Sequence, residues 1–395
     1  MTDAFAALHE GRIGDVLIAR GAHPLPDAAS VEAAARALAI AGEMRRSGGQ
    51  LVVLLSGGAS AMMAAPAPGL TLADKIALTR YLLASGLPIA SMNAIRKHVS
   101  AIKGGRLAAA AGRSITYAMS DVHAPVEDDP AVIGSGPTVA DPSTYADALR
   151  ALGSAAFAAP SLRRAEDRGQ TGVRPGSDQG QTRVRRVSDP SLTPVLQHLQ
   201  RGARGEVAET PKPGDPRMSE AHFVIAGSRR DAMNGAAAEA QRLGYSVLRI
   251  DPPTLGEAAT AGRAFVEQAQ ALAARAGRPA CVIAGGETTV ALTGKTGVGG
   301  RNQELALAAA LAMARAGSVA LASVGTDGVD GPTNAAGAIA DATTIARAQR
   351  MGLDASAALA RHDSHPFFHA LGDLVVTGPT GTNVGDLQVF LSGRT

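Results

Sequence analysis

Leu51-Val52-Val53-Leu54-Leu55-Ser56-Gly57-Gly58-Ala59-Ser60 is the stretch from which the fold reads most directly. Leu51 to Leu55 is a continuous apolar run of strand length, the pattern of a strand buried on both faces. It feeds a Ser/Gly turn, and open α/β sheets bind ligands at the carboxyl ends of their strands. Ser56, Gly57, Gly58 and Ser60 are therefore candidate ligand contacts, with a plain tight turn as the bland alternative. Similar runs recur outward from this point: Gly14 to Ile18, Ile115 to Met119, His222 to Ala226, Ser246 to Ile250, Cys281 to Ala284, Val319 to Val324 and Leu387 to Leu391. Between them lie Ala-rich helical segments. Ser30 to Arg46 has Ser30 as its expected N-cap. Thr71 to Ser85 opens with a Thr71/Asp74 capping box and stops at Gly86. Leu255 to Ala276 and Leu305 to Ala316 are further helices. Strands alternating with helices of this length imply parallel sheets wound by right-handed crossovers, an α/β fold.

The chain has 395 residues, enough for two domains with full cores. Its 46% hydrophobic and 18% charged content is that of a globular protein. A net charge of +3 is too slight to argue for nucleic acid or a membrane surface as partner. Cys281 is the single cysteine, so intramolecular disulfides are excluded, and its apolar run makes it an inert core residue. Met1 to Arg20 lacks a signal-peptide core, and no apolar run approaches the roughly 20 residues of a membrane span. A cytoplasmic protein is the expectation.

The chemistry-bearing stretches are glycine-rich loops that carry charge. Gly294-Lys295-Thr296-Gly297-Val298-Gly299-Gly300-Arg301-Asn302-Gln303-Glu304 runs straight into a helix. Helix starts favour anions, and Arg301 offers a planar fork for carboxylate or phosphate. The stretch is no P-loop, because Thr289 stands where the first glycine should be. A flexible hairpin before a surface helix is the alternative. Ser91 to Arg106 gathers Arg96, Lys97, His98, Lys103 and Arg106 around Asn93 and the Gly104-Gly105 pair. A solvated charged face would look the same, but Lys103-Gly104-Gly105-Arg106 repeats the design of two cations bracketing glycines before a helix. Asp121 follows a strand, a position suited to a ligand or metal. Asp327 and Asp330, on the glycine-rich loop Gly325 to Asn334, are candidates for Mg²⁺, although Asp-Gly pairs also serve as ordinary turns.

Two further stretches are set aside. From Ser161 to Arg204 arginines are scattered among Gly, Gln, Ser, Asp and Pro, which reads as a disordered surface insertion. His362, His365 and His369 suggest zinc, but Pro366 is expected to interrupt any helix aligning them.

In chain order, Ser56-Gly57-Gly58-Ala59-Ser60, Asn93-x-x-Arg96-Lys97-His98, Lys103-Gly104-Gly105-Arg106, Gly285-Gly286-Glu287-Thr288-Thr289, Gly299-Gly300-Arg301-Asn302-Gln303-Glu304 and the Asp327–Asp330 loop resemble the type II glycerate kinases, the kind with a C-terminal MOFRL domain. The resemblance implies two Rossmann-like three-layer α/β domains with mostly parallel sheets and an active site in the cleft between them. It implies a glycerate kinase domain over residues 1–270, interrupted by the insertion at 161–204, and a MOFRL domain over 275–395. It also implies ATP- and Mg²⁺-dependent phosphorylation of D-glycerate, typically to 2-phosphoglycerate, by a monomer or homodimer without nucleic-acid partners. Arg301, Lys103 and Asp327 are the expected catalytic residues, and Asp327 and Asp330 the expected Mg²⁺ ligands. Arg96, Lys97, Gly104, Gly105, Arg106, Asp121, Glu287, Thr288, Lys295, Gly299, Gly300, Asn302, Glu304 and Thr333 join the Ser56–Ser60 turn as expected substrate or nucleotide contacts.

Members of the family begin several dozen residues earlier, with a Gly-Lys-Ala run whose lysine is a leading candidate for the catalytic cation. No Gly-Lys pair precedes Gly294-Lys295 here, so the expectation is an N-terminally truncated chain. An impaired member that only binds ligand is one alternative. An NAD(P)-dependent hydroxypyruvate reductase is the other, disfavoured because no G-x-G-x-x-G follows a strand with an acidic residue roughly 20 positions on.

Overall fold

The computed structural model describes residues 12–13, 16–17, 19, 21–158, 189–276, 279–292, 296–314 and 316–393. Its strands are β1 (Arg12–Ile13), β2 (Val16–Leu17), β3 (Leu51–Leu55), β4 (Arg113–Met119), β5 (Glu220–Gly227), β6 (Ser246–Arg249), β7 (Thr254–Glu257), β8 (Ala280–Thr289), β9 (Val319–Gly325), β10 (Gly337–Asp341), β11 (Leu374–Val375) and β12 (Asp386–Ser392). Its helices are α1 (Ala28–Ser47), α2 (Ala59–Met62), α3 (Leu72–Ala84), α4 (Ile89–His98), α5 (Arg106–Ala111), α6 (Tyr145–Ala158), α7 (Thr193–Ala203), α8 (Arg229–Arg242), α9 (Ala258–Ala276), α10 (Arg301–Met313), α11 (Thr344–Arg350), α12 (Ala355–Ala360) and α13 (Ser364–Leu371). This is the mixed α/β fold expected.

The described residues form two compact units, one of Glu10–Ala118 with Asp129–Val224, the other containing Met119–Asp128 and Ile225–Thr395. The division falls at 118/119, 128/129 and 224/225. Residues 246–257 belong to the second unit because β6 and β7 both pair in parallel with β8.

In the first unit β3, β4 and β5 form a three-stranded sheet, with β3 parallel to β4 from Leu51↔Ser114 to Leu55↔Ala118. Small aliphatics fill one side, where Ala34 and Ala41 of α1 meet Leu51, Ile102, Leu107 and Ala111. The expectation that Leu51–Leu55 is buried on both faces holds for one face only. Leu51 and Leu55 are buried, but Val52 and Leu54 are 58% and 82% exposed. A second cluster joins Leu78 and Leu82 of α3, Ile95 of α4, Tyr145 and Leu152 of α6, and Leu192, Val195 and Leu199. The last three residues correct the expected disordered insertion at 161–204. Residues 189–204 are a short 3₁₀ turn and an amphipathic helix whose apolar face is core; residues 159–188 lie outside the described residues.

Two helix starts test the capping logic. Thr71 and Asp74 form the expected capping box. Ser30 does not cap α1 from outside; Asp27 accepts its N–H at 2.8 Å, and the Ser30 hydroxyl answers the Asp27 N–H at 3.2 Å. An Asp/Ser box three residues apart starts the helix earlier than a lone serine would.

The second unit contains a seven-stranded sheet in the order β11-β10-β9-β12-β8-β6, with β7 also on β8. Here the expectation of mostly parallel strands is corrected. β12 lies antiparallel to both β8 and β9, and β10 is antiparallel to both β9 and β11. Parallel neighbours need a crossover, whereas antiparallel ones need only a loop, and residues 326–336 supply such a loop between β9 and β10. Strand β8 runs on through Gly285-Gly286-Glu287-Thr288-Thr289, so that motif is strand and not loop. Helix α10 is apolar almost all round and is buried accordingly, with Leu305 to Ala310 fully inaccessible. It packs with Phe265, Val282, Leu321, Phe367, Phe368 and Phe390. Cys281 is buried, and burial pushes its thiol up to about 11, so it is inert as expected.

Candidate active site

Helix α10 begins at Arg301 because of a carboxylate from another part of the chain. Gly300 occupies the N-cap position without a side chain to offer. Asp330 takes over that role: it accepts the N–H of Asn302 at 3.0 Å, the N–H of Gln303 at 2.9 Å and the Gln303 side-chain amide at 2.9 Å. Thr333 completes the loop by accepting from Gln303 Nε2 and donating to the Asp330 carbonyl. Asn302 is used internally too, accepting from Ser323 Oγ at 2.6 Å. A Cβ on Gly300 would strike the Asp330 carboxylate, and one on Gly299 would strike the Ser364 hydroxyl. These glycines admit protein neighbours, not a ligand. Asp330 is 2% exposed and its oxygens are occupied, which removes it from the Mg²⁺ ligands expected. Burial raises its carboxyl pKa, opposed by the bonds from Asn302 and Gln303.

This scaffold holds Arg301 at the helix start. Its Nε and Nη2 donate to the two Asp386 oxygens at 2.7 and 3.0 Å, and Nη1 meets Glu287 at 3.0 Å. Burial works against the guanidinium charge, but Asp386 and then Glu287 outweigh it and hold its pKa above the ordinary value. Glu287 is half-buried on β8. Burial raises its carboxyl pKa; Arg301 opposes, while Asp386, Asp121 and Asp327 add to the rise. Asp121 accepts from Asn383 at 3.3 Å, and Asp327 accepts the Val329 N–H at 3.0 Å. Three carboxylates, Asp386, Glu287 and Asp330, thus act on Arg301, and Asp121 and Asp327 add to the negative field around Glu287. A divalent cation suits such a surplus: Mg²⁺ binds through one or two carboxylates and takes its remaining ligands from water and phosphate. Asp121 and Asp327 are the two of these carboxylates that act on Glu287 from the loops.

Glu304 does not face this cluster. It is buried against His362, whose Nδ1 lies 2.8 Å away, and burial raises its carboxyl pKa. His365 stacks on His369 in α13, where Pro366 sits in the first turn, so the expected interruption does not occur. Among the described residues no group of His, Cys, Asp and Glu could hold a metal through three such ligands. Thr288 is buried on β8 with no partner for its hydroxyl. Lys295 and Gly294 lie outside the described residues.

In the first unit the expected contacts divide. Lys103 Nζ donates to the Ser60 carbonyl at 2.7 Å, and Ser60 Oγ lies 3.0 Å from Ser135 Oγ. Ser56 is exposed and Gly57 and Gly58 are half-buried, so the turn is open to solvent. Lys97, by contrast, is buried against Asp141 at 3.3 Å. Arg106 donates to the Ser100 carbonyl at 2.9 Å and to that of Glu209 at 3.4 Å. Gly104 and Gly105, with φ of +58° and +79°, press against Lys97, Thr210 and Val139. Their N–H groups bond Ser135 and Gly136 carbonyls. Lys97, Gly104, Gly105 and Arg106 are thus engaged in contacts within the unit. Residues that the sequence reading missed are Asp386, Gln303 and Ser135. Asp386 is the first residue of β12 and carries no local signal of its role.

Comparison with known proteins matches two stretches of the chain. A model described as a domain of unknown function, DUF4147, matches residues 4–165, and that of the MOFRL family matches residues 280–386. A glycerate 2-kinase of Pyrococcus horikoshii is 36% identical over 95% of this chain and 78% of its own length. A protein of Agrobacterium vitis provisionally named a hydroxypyruvate reductase is 38% identical over 98% of this chain and 79% of its own. The crystal structure of a glycerate kinase from Thermotoga maritima superposes with a TM-score of 0.78 at 33% identity, over 97% of this chain and 82% of that one.

Proposed function

We propose that this chain, which belongs to the glycerate kinase family that carries a MOFRL domain, transfers the terminal phosphoryl group of ATP to D-glycerate in a Mg²⁺-dependent reaction, giving 2-phosphoglycerate. The chain is a kinase by its kinship. The observation that carries it is Arg301, clamped by Asp386 and Glu287 at the start of a buried helix yet 33% exposed.

Phosphoryl transfer demands positioning and neutralisation of charge more than covalent help from the protein. Arg301 keeps a rigid cationic fork aimed where an oxyanion can meet it. The glycerate hydroxyl forms a bond to the terminal phosphorus while the bond to the ADP oxygen breaks. The hydroxyl proton needs an acceptor, and the Glu287 carboxylate, with its raised pKa, suits that task. Asp327 and Asp121 would hold Mg²⁺, which draws charge from phosphate oxygens when bound.

Hydride transfer to hydroxypyruvate finds no support in the chain, which has no dinucleotide fingerprint after any strand. The test is an assay of D-glycerate with ATP and Mg²⁺, with 2- and 3-phosphoglycerate resolved, run beside Arg301→Ala. Formation of 2-phosphoglycerate by the unmodified chain and its loss in the variant is the expected result. No phosphorylated product, or oxidation of NAD(P)H by hydroxypyruvate instead, would sink this reading.

A further inference from the structure

The second unit contains an open cavity of about 320 Å³ that phosphoryl transfer does not use. Leu311 of α10 and Leu359 of α12 give it an apolar wall, and Glu257, Arg263, Glu304 and His362 give it charge. Asp386 and Glu287, which clamp Arg301, do not line it. Ligand sites run from roughly 300 to 1,000 Å³ and combine apolar walls with a few placed polar groups, so this one has the size for a small ligand. Its acidic end is a coupled pair. Glu304 is 3% exposed and meets His362 Nδ1 at 2.8 Å, and it is also hydrogen-bonded to the carboxyl group of Glu257. Two carboxyl groups in contact do not both ionise without cost. Burial raises the Glu304 pKa, His362 opposes and Glu257 adds to the rise. In Glu257 the effect of burial is outweighed by bonds from Thr260 and Ala259, whose N–H groups it accepts at 2.7 and 3.1 Å. Glu257 therefore ionises first, and the pair presents negative charge to the cavity.

Arg263 is the counterpart. It stands exposed on α9, lines the same cavity and has no carboxylate partner among the described residues. The cavity thus holds an acidic pair and a guanidinium that do not neutralise each other, with aliphatic surface beside them. A simple cation leaves Arg263 unanswered, and a simple anion is repelled by Glu257. A matched occupant is small and carries a cation, an anion and an aliphatic body in one molecule.

We propose that this cavity is a second ligand site that takes a small aliphatic α-amino acid as its zwitterion, with the ammonium on Glu257 and Glu304, the carboxylate on Arg263 and the side chain on Leu311 and Leu359. The ammonium donates charge-assisted hydrogen bonds to the carboxyl pair, and Arg263 offers a planar fork to the carboxylate. Neither D-glycerate nor a nucleoside triphosphate carries an ammonium, so the site lies outside the transfer reaction. Glu304 shares the first turn of α10 with Arg301, and an occupant that fixes Glu304 stiffens the start of that helix. This is the place of a regulatory ligand.

Calorimetric titration of the full chain with L-leucine tests this, beside isoamylamine, which lacks the carboxylate, and isocaproate, which lacks the ammonium. The expected result is saturable binding of L-leucine and at least about tenfold weaker binding of either analogue. Arg263→Gln changes an exposed side chain; it lowers the affinity for L-leucine about tenfold and leaves that for isoamylamine unchanged. Glu257→Gln weakens L-leucine and isoamylamine alike. Melting temperatures without ligand show whether each variant is folded, and Arg263→Gln decides where Glu257→Gln is not. Absence of saturable heat with L-leucine overturns the proposal, as does isoamylamine binding as tight as that of L-leucine, or L-leucine affinity that Arg263→Gln leaves unchanged. The readout is binding, so a chain that never phosphorylates glycerate leaves this result untouched, and failure here leaves the kinase reading standing.

Discussion

Arg301 and Asp386, 85 residues apart in the chain, meet through two parallel hydrogen bonds of 2.7 and 3.0 Å. Asp386 has no exposed side-chain surface, while Arg301 keeps one-third of its own. The pair therefore works as a fixed mount beneath a working surface. Asp386→Asn removes the charge and keeps the size, so Arg301 loses its orientation. The expected outcome is a fall in kcat of about 100-fold with a smaller change in KM for glycerate. Arg301→Lys gives a similar loss, since an ammonium cannot span Asp386 and Glu287 together. Steady-state kinetics on both variants provide the check.

The start of α10 depends on one carboxylate seated against one missing side chain. Asp330→Ala leaves two helix N–H groups unanswered and is expected to lower stability by about 1–2 kcal/mol. Gly300→Ala displaces the same carboxylate by steric contact. Because both changes break one cap, the double variant is less destabilised than the sum of the singles. Denaturant titration of the four proteins measures this; strict additivity would contradict it.

Lys75 gives stability an unusual dependence on alkaline pH. Its folded pKa of about 8 lies below the unfolded value near 10.4, so between these limits the unfolded chain holds more protons. Stability from this group therefore rises as pH climbs through that window. Lys75→Met removes the penalty at every pH, so the variant is the more stable at pH 7. Its advantage shrinks by as much as about 3 kcal/mol on going to pH 10.5. Paired denaturation curves across the window decide the matter; an advantage that stays constant would refute it.

Lys97, read from sequence as a ligand contact, is expected to behave as a structural residue. Asp141 is fully buried and accepts from Lys97, Thr210 and Ser143. Burial alone would raise its carboxyl pKa, but Lys97, Ser143 and His98 outweigh that and lower it. Its contribution is present above the unfolded value near 3.9 and is lost as pH falls below it. Lys97→Met strands that carboxylate and is expected to cost about 3–5 kcal/mol. Thermal melts show the loss, and the variant no longer shows the acid-side decline contributed by the pair.

Sequence made some of this legible and concealed the rest for physical reasons. Capping by Thr71 and Asp74 is local and reads directly. Apolar runs located most strands, but Gly337–Asp341 escaped because Gly-Ala-Ile-Ala-Asp has little β-branched character. Thr254–Glu257 merged into the helix that follows it. Charge beside glycine proved ambiguous: Arg301 faces a cluster of carboxylates, whereas Gly104-Gly105 admits Thr210 and Val139. Both sequences announce close approach and neither says of what. Asp386 was silent because its meaning lies in a partner 85 residues away.

The position of β12 also governs when this protein becomes whole. Strands β8 and β9 leave the ribosome early, yet they are not neighbours; residues 386–392 must slot between them along both edges. Until that segment emerges from the exit tunnel, the central sheet of the second unit stays open and Arg301 lacks its mount. A nascent chain stalled upstream of Asp386 thus carries an Arg301 that has Glu287 but lacks its bidentate partner. The two-hydrogen-bond seat of Arg301 is therefore completed only after this strand has been synthesised.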